Sequence, residues 1–219
     1  MDRIYKTPGV LIIKIIAVFL IGCAPMPAHR AAPPPQAEAA GQFHTLVDVA
    51  FVRPYIRMPR PRGVAIIDSR PYLSGFIAGH IPTAVSIPAA QFDQFTHRLP
   101  ADKNSLLIFY CDNTTCRQSH ASARKAEQLG YHNVKVLAGG YSAYIRSPGA
   151  YAGISAPYLI QLLSSGRLML VDARPRRAKY DKGYIPTAIS MPVTEFDQLK
   201  GKLPADRTFP LVFYCCGLT

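Results

Sequence analysis

From residue 64 onward the chain alternates short apolar runs with polar, helix-forming stretches. Val64-Ala65-Ile66-Ile67 is apolar throughout and closes on Asp68. A run this short and rich in β-branched residues predicts a buried strand. Ala84-Val85-Ser86-Ile87, closed by Pro88, predicts a second, and Leu106 to Tyr110 is the most strand-like run in the chain. Ser119 to Leu129 holds the helix formers Ala121, Ala123, Arg124, Lys125, Ala126 and Glu127 and meets Gly130, a stop signal, so it predicts a helix. Val134 to Leu137 predicts another strand, and Gly139-Gly140 turns the chain into a short helix around Tyr141 to Ile145. Strands alternating with helices predict an α/β fold, a parallel sheet flanked by helices on both faces. Ligand sites in such sheets lie beyond the carboxyl ends of the strands. Cys111 occupies that end of the strongest strand.

The pattern occurs twice. Shifting the chain by 104 residues aligns 68–111 with 172–215 without a gap, and 21 of those 44 positions are identical. Asp68-Ser69-Arg70-Pro71 matches Asp172-Ala173-Arg174-Pro175. Gly79-His80-Ile81-Pro82-Thr83-Ala84 matches Gly183-Tyr184-Ile185-Pro186-Thr187-Ala188, and Phe109-Tyr110-Cys111 matches Phe213-Tyr214-Cys215. The period is too long for a solenoid and predicts a duplicated domain of about 100 residues. A complete copy is expected over 45–148 and a second over 153–219. Because the second stops soon after Cys215, it is expected to be truncated at its C-terminal side.

The first 44 residues read differently. Arg3, Lys6 and Lys14 precede the apolar run Ile15 to Ile21, and Gly22-Cys23 follows. A basic start, a short apolar stretch and a small residue describe a secretory signal, and the run is far below the roughly 20 residues that span a bilayer. Leu20-Ile21-Gly22-Cys23 resembles the bacterial lipobox. Residues 1–23 are therefore expected to be a lipoprotein signal peptide, with Cys23 the lipidation site. Residues 24–44, with Pro25, Pro27 and Pro33-Pro34-Pro35 among alanines, are expected to be an extended tether. This places the protein in a bacterial cell envelope, lipid-anchored and periplasm-facing, more readily at the outer than the inner membrane.

The net charge of +12 favours anionic partners. The basic residues are scattered and do not interleave with aromatics, which argues against nucleic acid. Arg57/Arg60/Arg62 and Arg174/Arg176/Arg177 read as solvated faces, or as contacts to anionic lipid headgroups. Five cysteines at 23, 111, 116, 215 and 216 fit neither a disulfide framework nor a zinc site. Gly139-Gly140 lacks the spacing of a dinucleotide fingerprint. No metal and no cofactor is expected.

The chemistry concentrates in Tyr110-Cys111-Asp112-Asn113-Thr114-Thr115-Cys116-Arg117-Gln118-Ser119. A strand ends, a loop follows and a helix begins. A cysteine there lies near a helix N-terminus and loop amides, which favour the thiolate, and Arg117 adds positive charge. The expectation is an ionised, reachable sulfur in a nest of N–H groups, with Asn113 the residue best able to take a left-handed conformation.

Taken together, Asp68-x-Arg70-Pro71, Gly79-His80-Ile81-Pro82-x-Ala84 and the strand-borne Tyr110-Cys111 loop resemble the rhodanese family. The resemblance implies a sheet of about five strands. It implies that Cys111 takes sulfur from a small sulfur-containing anion such as thiosulfate, holds it as a persulfide and passes it to a thiol acceptor. Loop residues 111–116 match the loop that cradles the persulfide. Cys111-x4-Cys116 resembles a bacterial subset with a second loop cysteine, and Asp68 and Arg70 match supporting positions. Cys215 is the equivalent in the second copy. The loop departs from the family in lacking glycine, in having Cys116 where arginine is usual, and in Asp112, whose charge opposes an anionic donor.

Three other readings stay open. Cys111-x5-Arg117 has the spacing of cysteine-dependent phosphatases, with Arg117 clamping the phosphate. Cys111 and Cys116 can form a redox or binding module if their Cα atoms lie within about 4.4–6.8 Å. The duplicated scaffold can also serve binding alone. His80 reads as a turn residue, since its repeat partner is Tyr184, and Arg70 and Arg174 read as ion-pair partners.

Overall fold

The computed structural model describes residues 42–216. The signal segment, Cys23 and most of the proposed tether lie outside the described residues. No helix among the described residues is long and apolar enough to cross a membrane.

The first copy is built on β1 (Leu46–Val47), β2 (Val64–Asp68), β3 (Val85–Ser86), β4 (Leu106–Tyr110) and β5 (Val134–Leu137). They form one sheet in the order β1-β5-β4-β2-β3, every pairing parallel. The runs expected from the sequence form the strands, with Ala84–Ile87 shortened to its middle pair because Pro88 breaks the ladder. Between them lie α1 (Val49–Val52) and α2 (Gln118–Gln128), and α3 (Gly140–Ile145) follows β5.

The period of two along β4 decides what each face buries. Leu107 and Phe109 join Ala65, Ile67, Val134 and Val136 in a cluster completed by Ala123 and Ala126 of α2 and by Phe92. Ile108 and Tyr110 join Ile66, Val52 of α1 and Tyr144 of α3 on the opposite face. All five residues of β4 are buried, and full burial of each large side chain stabilises by about 1.5–3 kcal/mol. This two-faced packing is what a parallel sheet requires. It leaves β4 central and sets the direction of the next residue: Cys111 continues the Leu107–Phe109 row toward α2, while Tyr110 faces α3.

The second copy follows α4 (Ala156–Ser165). It contains β6 (Met169–Asp172), β7 (Ile189–Ser190), β8 (Leu211–Tyr214) and the short α5 (Phe196–Leu199). Its sheet has the order β7-β6-β8, again parallel. The 104-residue shift holds in the register: Ile67 pairs Val85 and Val171 pairs Ile189, while Ala65 pairs Leu107 and Met169 pairs Leu211. It also holds in the turn Ile81-Pro82-Thr83-Ala84. There the Ala84 N–H donates to the Ile81 carbonyl at 3.0 Å and Thr83 has φ 70°, with Thr187 at 72° in the second copy. Proline followed by a positive-φ residue is the signature of a type II turn. Among the described residues β8 is an edge strand, with Leu211 and Phe213 exposed.

Candidate functional site

The site begins with a buried ionic knot where β2 ends. Arg70 is 7% exposed and Asp68 fully buried. The Arg70 Nη2–H donates to Asp68 Oδ2 at 2.6 Å and to the Gly79 carbonyl at 2.6 Å, and Nε–H donates to Asp68 Oδ1 at 3.0 Å. The Tyr110 hydroxyl donates to the same carboxylate at 2.7 Å and accepts the Ile81 N–H. The Arg70 guanidinium also lies 4.3 Å from the ring centroid of Tyr141 in α3. Burial works against the Arg70 charge, but the bonds to Asp68 outweigh it and hold the guanidinium pKa above its ordinary value. Its remaining nitrogen, Nη1, stands 3.6 Å from the exposed carboxylate of Asp112, so Arg70 partly offsets the negative charge that the sequence places beside the cysteine.

This knot is present twice. In the second copy Arg174 donates to Asp172 at 2.6 Å and to the Gly183 carbonyl at 2.7 Å, and the Tyr214 hydroxyl accepts the Ile185 N–H. Arg70 and Arg174 are thus ion-pair partners, and Arg174 is drawn out of the solvated Arg174/Arg176/Arg177 cluster. Arg57, Arg60 and Arg62 are exposed. His80 is not a turn residue but forms an isolated antiparallel bridge with Gly153; its ring stacks on Phe76 at 3.9 Å and Nδ1 lies 2.9 Å from the Phe76 carbonyl.

Cys111 follows directly on β4, and its side chain meets the first turn of α2. The Ser119 hydroxyl donates to Cys111 Sγ at 3.3 Å. The loop from 112 to 117 then brings Cys116 back, and Cys111 and Cys116 are joined as a disulfide with Cα atoms 6.3 Å apart. That separation satisfies the geometric condition for a loop disulfide. Cys111 is only 2% exposed, whereas Cys116 is partly exposed.

Three sequence expectations are corrected here. The sulfur of Cys111 is neither ionised nor open to solvent in this state, because Cys116 caps it. The loop amides also do not all converge on it: Thr115 N–H donates to Asn113 Oδ1 at 3.0 Å and Cys116 N–H to the Asn113 carbonyl at 3.3 Å. Asn113 is not left-handed either, since Thr83 and Thr187 are the positive-φ non-glycine residues among those described. Its side-chain oxygen instead closes a turn on Thr115, taking both its N–H and, at 2.8 Å, its hydroxyl.

The rear of the loop is fastened by α3. Tyr141 N–H donates to the Cys111 carbonyl at 2.8 Å and Ser142 N–H to the Asp112 carbonyl at 2.9 Å. Gly140 makes this possible. Its φ is 57°, and a Cβ there would run into the Cys111 carbonyl. In front, a cleft of about 480 Å³ opens between Arg70, Gly75, Asp112, Cys116, Arg117 and Gln118. Arg117 lines this mouth at the N-cap of α2. Thr114 faces a smaller recess on the opposite side of the loop, with Ser119 and His120. Ser119 closes the candidate segment, whereas Gly140 and Tyr141 carry no sequence signal for the site, since contacts between α3 and the end of β4 are tertiary.

Cys215, the counterpart of Cys111, is free and exposed, as is Cys216. Among the described residues no cluster of three or more His, Cys, Asp or Glu is placed to hold a metal ion.

Comparison with known proteins agrees with the duplicated architecture. The family model described as Rhodanese-like domain matches residues 55–147 and again 155–217. No curated protein matches the chain. Among solved structures, the BH2092 protein from Bacillus halodurans is similar at 29% identity, covering 50% of this chain and 77% of that one with a TM-score of 0.44. A thiosulfate sulfurtransferase from Pseudomonas aeruginosa is similar at 20% identity, covering 79% of this chain and 36% of that one, TM-score 0.43. A rhodanese-related protein from Thermoplasma volcanium is similar at 19% identity, covering 51% and 99%, TM-score 0.41.

Proposed function

The chain belongs to the rhodanese-like family, and on that premise we propose that its first copy is a sulfurtransferase or sulfur carrier working through Cys111. The thiolate of Cys111 attacks the outer sulfur of a donor such as thiosulfate. A bond forms between Sγ and that sulfur, the donor S–S bond breaks, and sulfite leaves with the electron pair. The persulfide is then passed to a thiol acceptor.

One observation carries this reading. The only cysteine at the carboxyl end of the central strand has its sulfur on the N-terminal turn of α2, with the Ser119 hydroxyl donating to it. That environment stabilises a thiolate. Arg70 and Arg117 at the cleft mouth supply positive charge for an anionic donor. The disulfide is the resting oxidised form, and the reacting form is the dithiol.

The test is sulfite release from thiosulfate by protein reduced beforehand, with a dithiol as acceptor. Cys111→Ser is expected to reduce the rate to background, and so is Cys111→Ala. Turnover surviving both substitutions overturns the assignment.

A dithiol/disulfide module is the second reading, favoured by the Cys111–Cys116 pairing itself. It predicts thiol exchange without sulfite release.

We also propose that residues 1–23 are a lipoprotein signal, that Cys23 is acylated, and that 24–44 tether copies at 45–148 and 153–219 to the periplasmic face of an envelope membrane. The support is the order of basic, apolar and Gly22-Cys23 segments followed by a Pro/Ala-rich stretch. Metabolic labelling with palmitate, lost in Cys23→Ser, tests it; label retained by that variant contradicts it.

A further inference from the structure

We propose that Cys116 is the resolving cysteine of this site, so that the sulfur captured by Cys111 leaves as hydrogen sulfide rather than passing intact to an acceptor. The inference rests on the persulfide reading of Cys111 and replaces its last step, transfer of the sulfane sulfur to an acceptor, with release of sulfide.

Three features of the loop carry it. The first is placement. Asn113 folds the loop back through its bonds to Thr115 and Cys116, and the N–H groups of Tyr141 and Ser142 fix the carbonyls of 111 and 112 from behind. The sulfur of Cys116 is thereby delivered onto the sulfur of Cys111. In a persulfide of Cys111 that atom is the inner sulfur, the one a resolving thiolate must attack.

The second is asymmetry of access. Cys111 is almost wholly buried, whereas Cys116 borders the open cleft with Asp112, Arg117 and Gln118. A thiol arriving from solvent meets Cys116 first.

The third is asymmetry of stabilisation. Both sulfurs have an acceptor oxygen nearby, the Cys116 carbonyl 3.3 Å from Cys111 Sγ and Gln118 Oε1 3.8 Å from Cys116 Sγ, but Cys111 alone of the two also receives a hydroxyl donor, from Ser119. Of the two sulfurs, Cys111 is the better leaving group in exchange, because the Ser119 donor stabilises it as it leaves and a better-stabilised thiolate departs faster.

The cycle balances. The Cys116 thiolate attacks Sγ of the Cys111 persulfide. The persulfide S–S bond breaks, the outer sulfur departs as HS⁻ with the bonding pair, and the Cys111–Cys116 disulfide forms. The sulfane sulfur has been reduced by two electrons and the two cysteines oxidised by two. Resetting requires a dithiol reductant. One of its thiolates attacks the sulfur of the partly exposed Cys116, Cys111 leaves as the thiolate, and the second thiol of the reductant displaces Cys116 and departs as a disulfide. The nucleophile is thus regenerated in the ionised form it needs.

The experiment is a single turnover. Wild type and Cys116→Ser, reduced and freed of reductant without oxygen, receive thiosulfate or, separately, glutathione persulfide. Intact mass is followed in both arms and free sulfide in the thiosulfate arm. Wild type is expected to release one sulfide per chain with no thiol added and to end lighter by two hydrogens, as the disulfide. Cys116→Ser is expected to end heavier by one sulfur atom and to release no sulfide; Cys116→Ala repeats this without a hydroxyl. A wild-type persulfide that persists while Cys116 still reacts with an alkylating agent overturns the resolving role and leaves the persulfide reading standing. Absence of sulfur uptake from either donor in all of the proteins overturns both.

Discussion

The Ser119 hydroxyl donates to the sulfur of Cys111 across 3.3 Å, tying the first turn of α2 to the residue that ends β4. A hydrogen bond to a charged group contributes about 1.5–3 kcal/mol. Ser119→Ala in the reduced protein is therefore expected to disfavour the Cys111 thiolate and to move the midpoint of its alkylation to higher pH. The pH dependence of alkylation of Cys111 measures this. An unchanged midpoint means that the hydroxyl does not support the thiolate.

Arg70 ties the end of β2 to the Gly79 carbonyl and to the Asp68–Tyr110 pair, so removing it leaves Asp68 buried without its counter-charge. Breaking a buried pair at one partner costs about 3–5 kcal/mol. Arg70→Ala is expected to lower the urea midpoint accordingly. Arg174→Ala, in the more exposed second knot, is expected to have a smaller effect. Equal effects would show that burial does not govern this pair.

His120 is held neutral. Its Nδ1 accepts the Phe43 N–H at 2.9 Å, and its pKa is lowered by burial first and then by Arg117 and Arg124. The unfolded chain, with histidine near pH 6.5, takes up the proton before the folded one. Stability is therefore full above that pH and falls as the pH drops through the window between the unfolded and the lower folded pKa. His80, lowered chiefly by burial, acts in the same direction. His120→Asn keeps an acceptor at the Nδ1 position but does not titrate. Denaturation between neutral and mildly acid pH is expected to show a shallower loss of stability in His120→Asn than in wild type. Parallel curves would exclude His120 from the effect.

Gly140 and Gly130 both have positive φ, but a Cβ at Gly130 meets open space whereas one at Gly140 meets the Cys111 backbone. Gly130→Ala carries only the left-handed penalty, about 1–2 kcal/mol, and is expected to leave sulfur uptake unchanged. Gly140→Ala is expected to slow uptake by Cys111 as well, because the α3 amides that hold residues 111 and 112 must shift. Uptake rates of the two variants, set beside their stabilities, separate a site effect from a folding effect.

The scaffold was largely legible in the sequence because short apolar runs closed by Asp or Pro leave little choice but buried strands. The 104-residue repeat also carried over to bonds that no single motif reveals, such as Ile81 N–H to Tyr110 and Ile185 N–H to Tyr214. Leu46–Val47 escaped notice because two residues at a sheet edge make no periodic pattern. The helix Ala156–Ser165 is signalled only by its ends, Ser155 before it, Pro157 in its first turn and Gly166 after it. The position of Cys111 at a strand end was readable. The capping of its sulfur was not, because it depends on Asn113 spending its side chain on Thr115, on Gly140 admitting the Cys111 carbonyl and on Ser119 turning inward. Each of these is a contact between elements.

Where the captured sulfur lands tests the assignment of Cys111 most directly. Reduced Cys116→Ser protein, given thiosulfate or glutathione persulfide and digested without reductant, is expected to carry one added sulfur on the peptide containing Cys111 and none on the peptide containing Cys215 and Cys216. Sulfur recovered on Cys215 or Cys216 with Cys111 unmodified would contradict it.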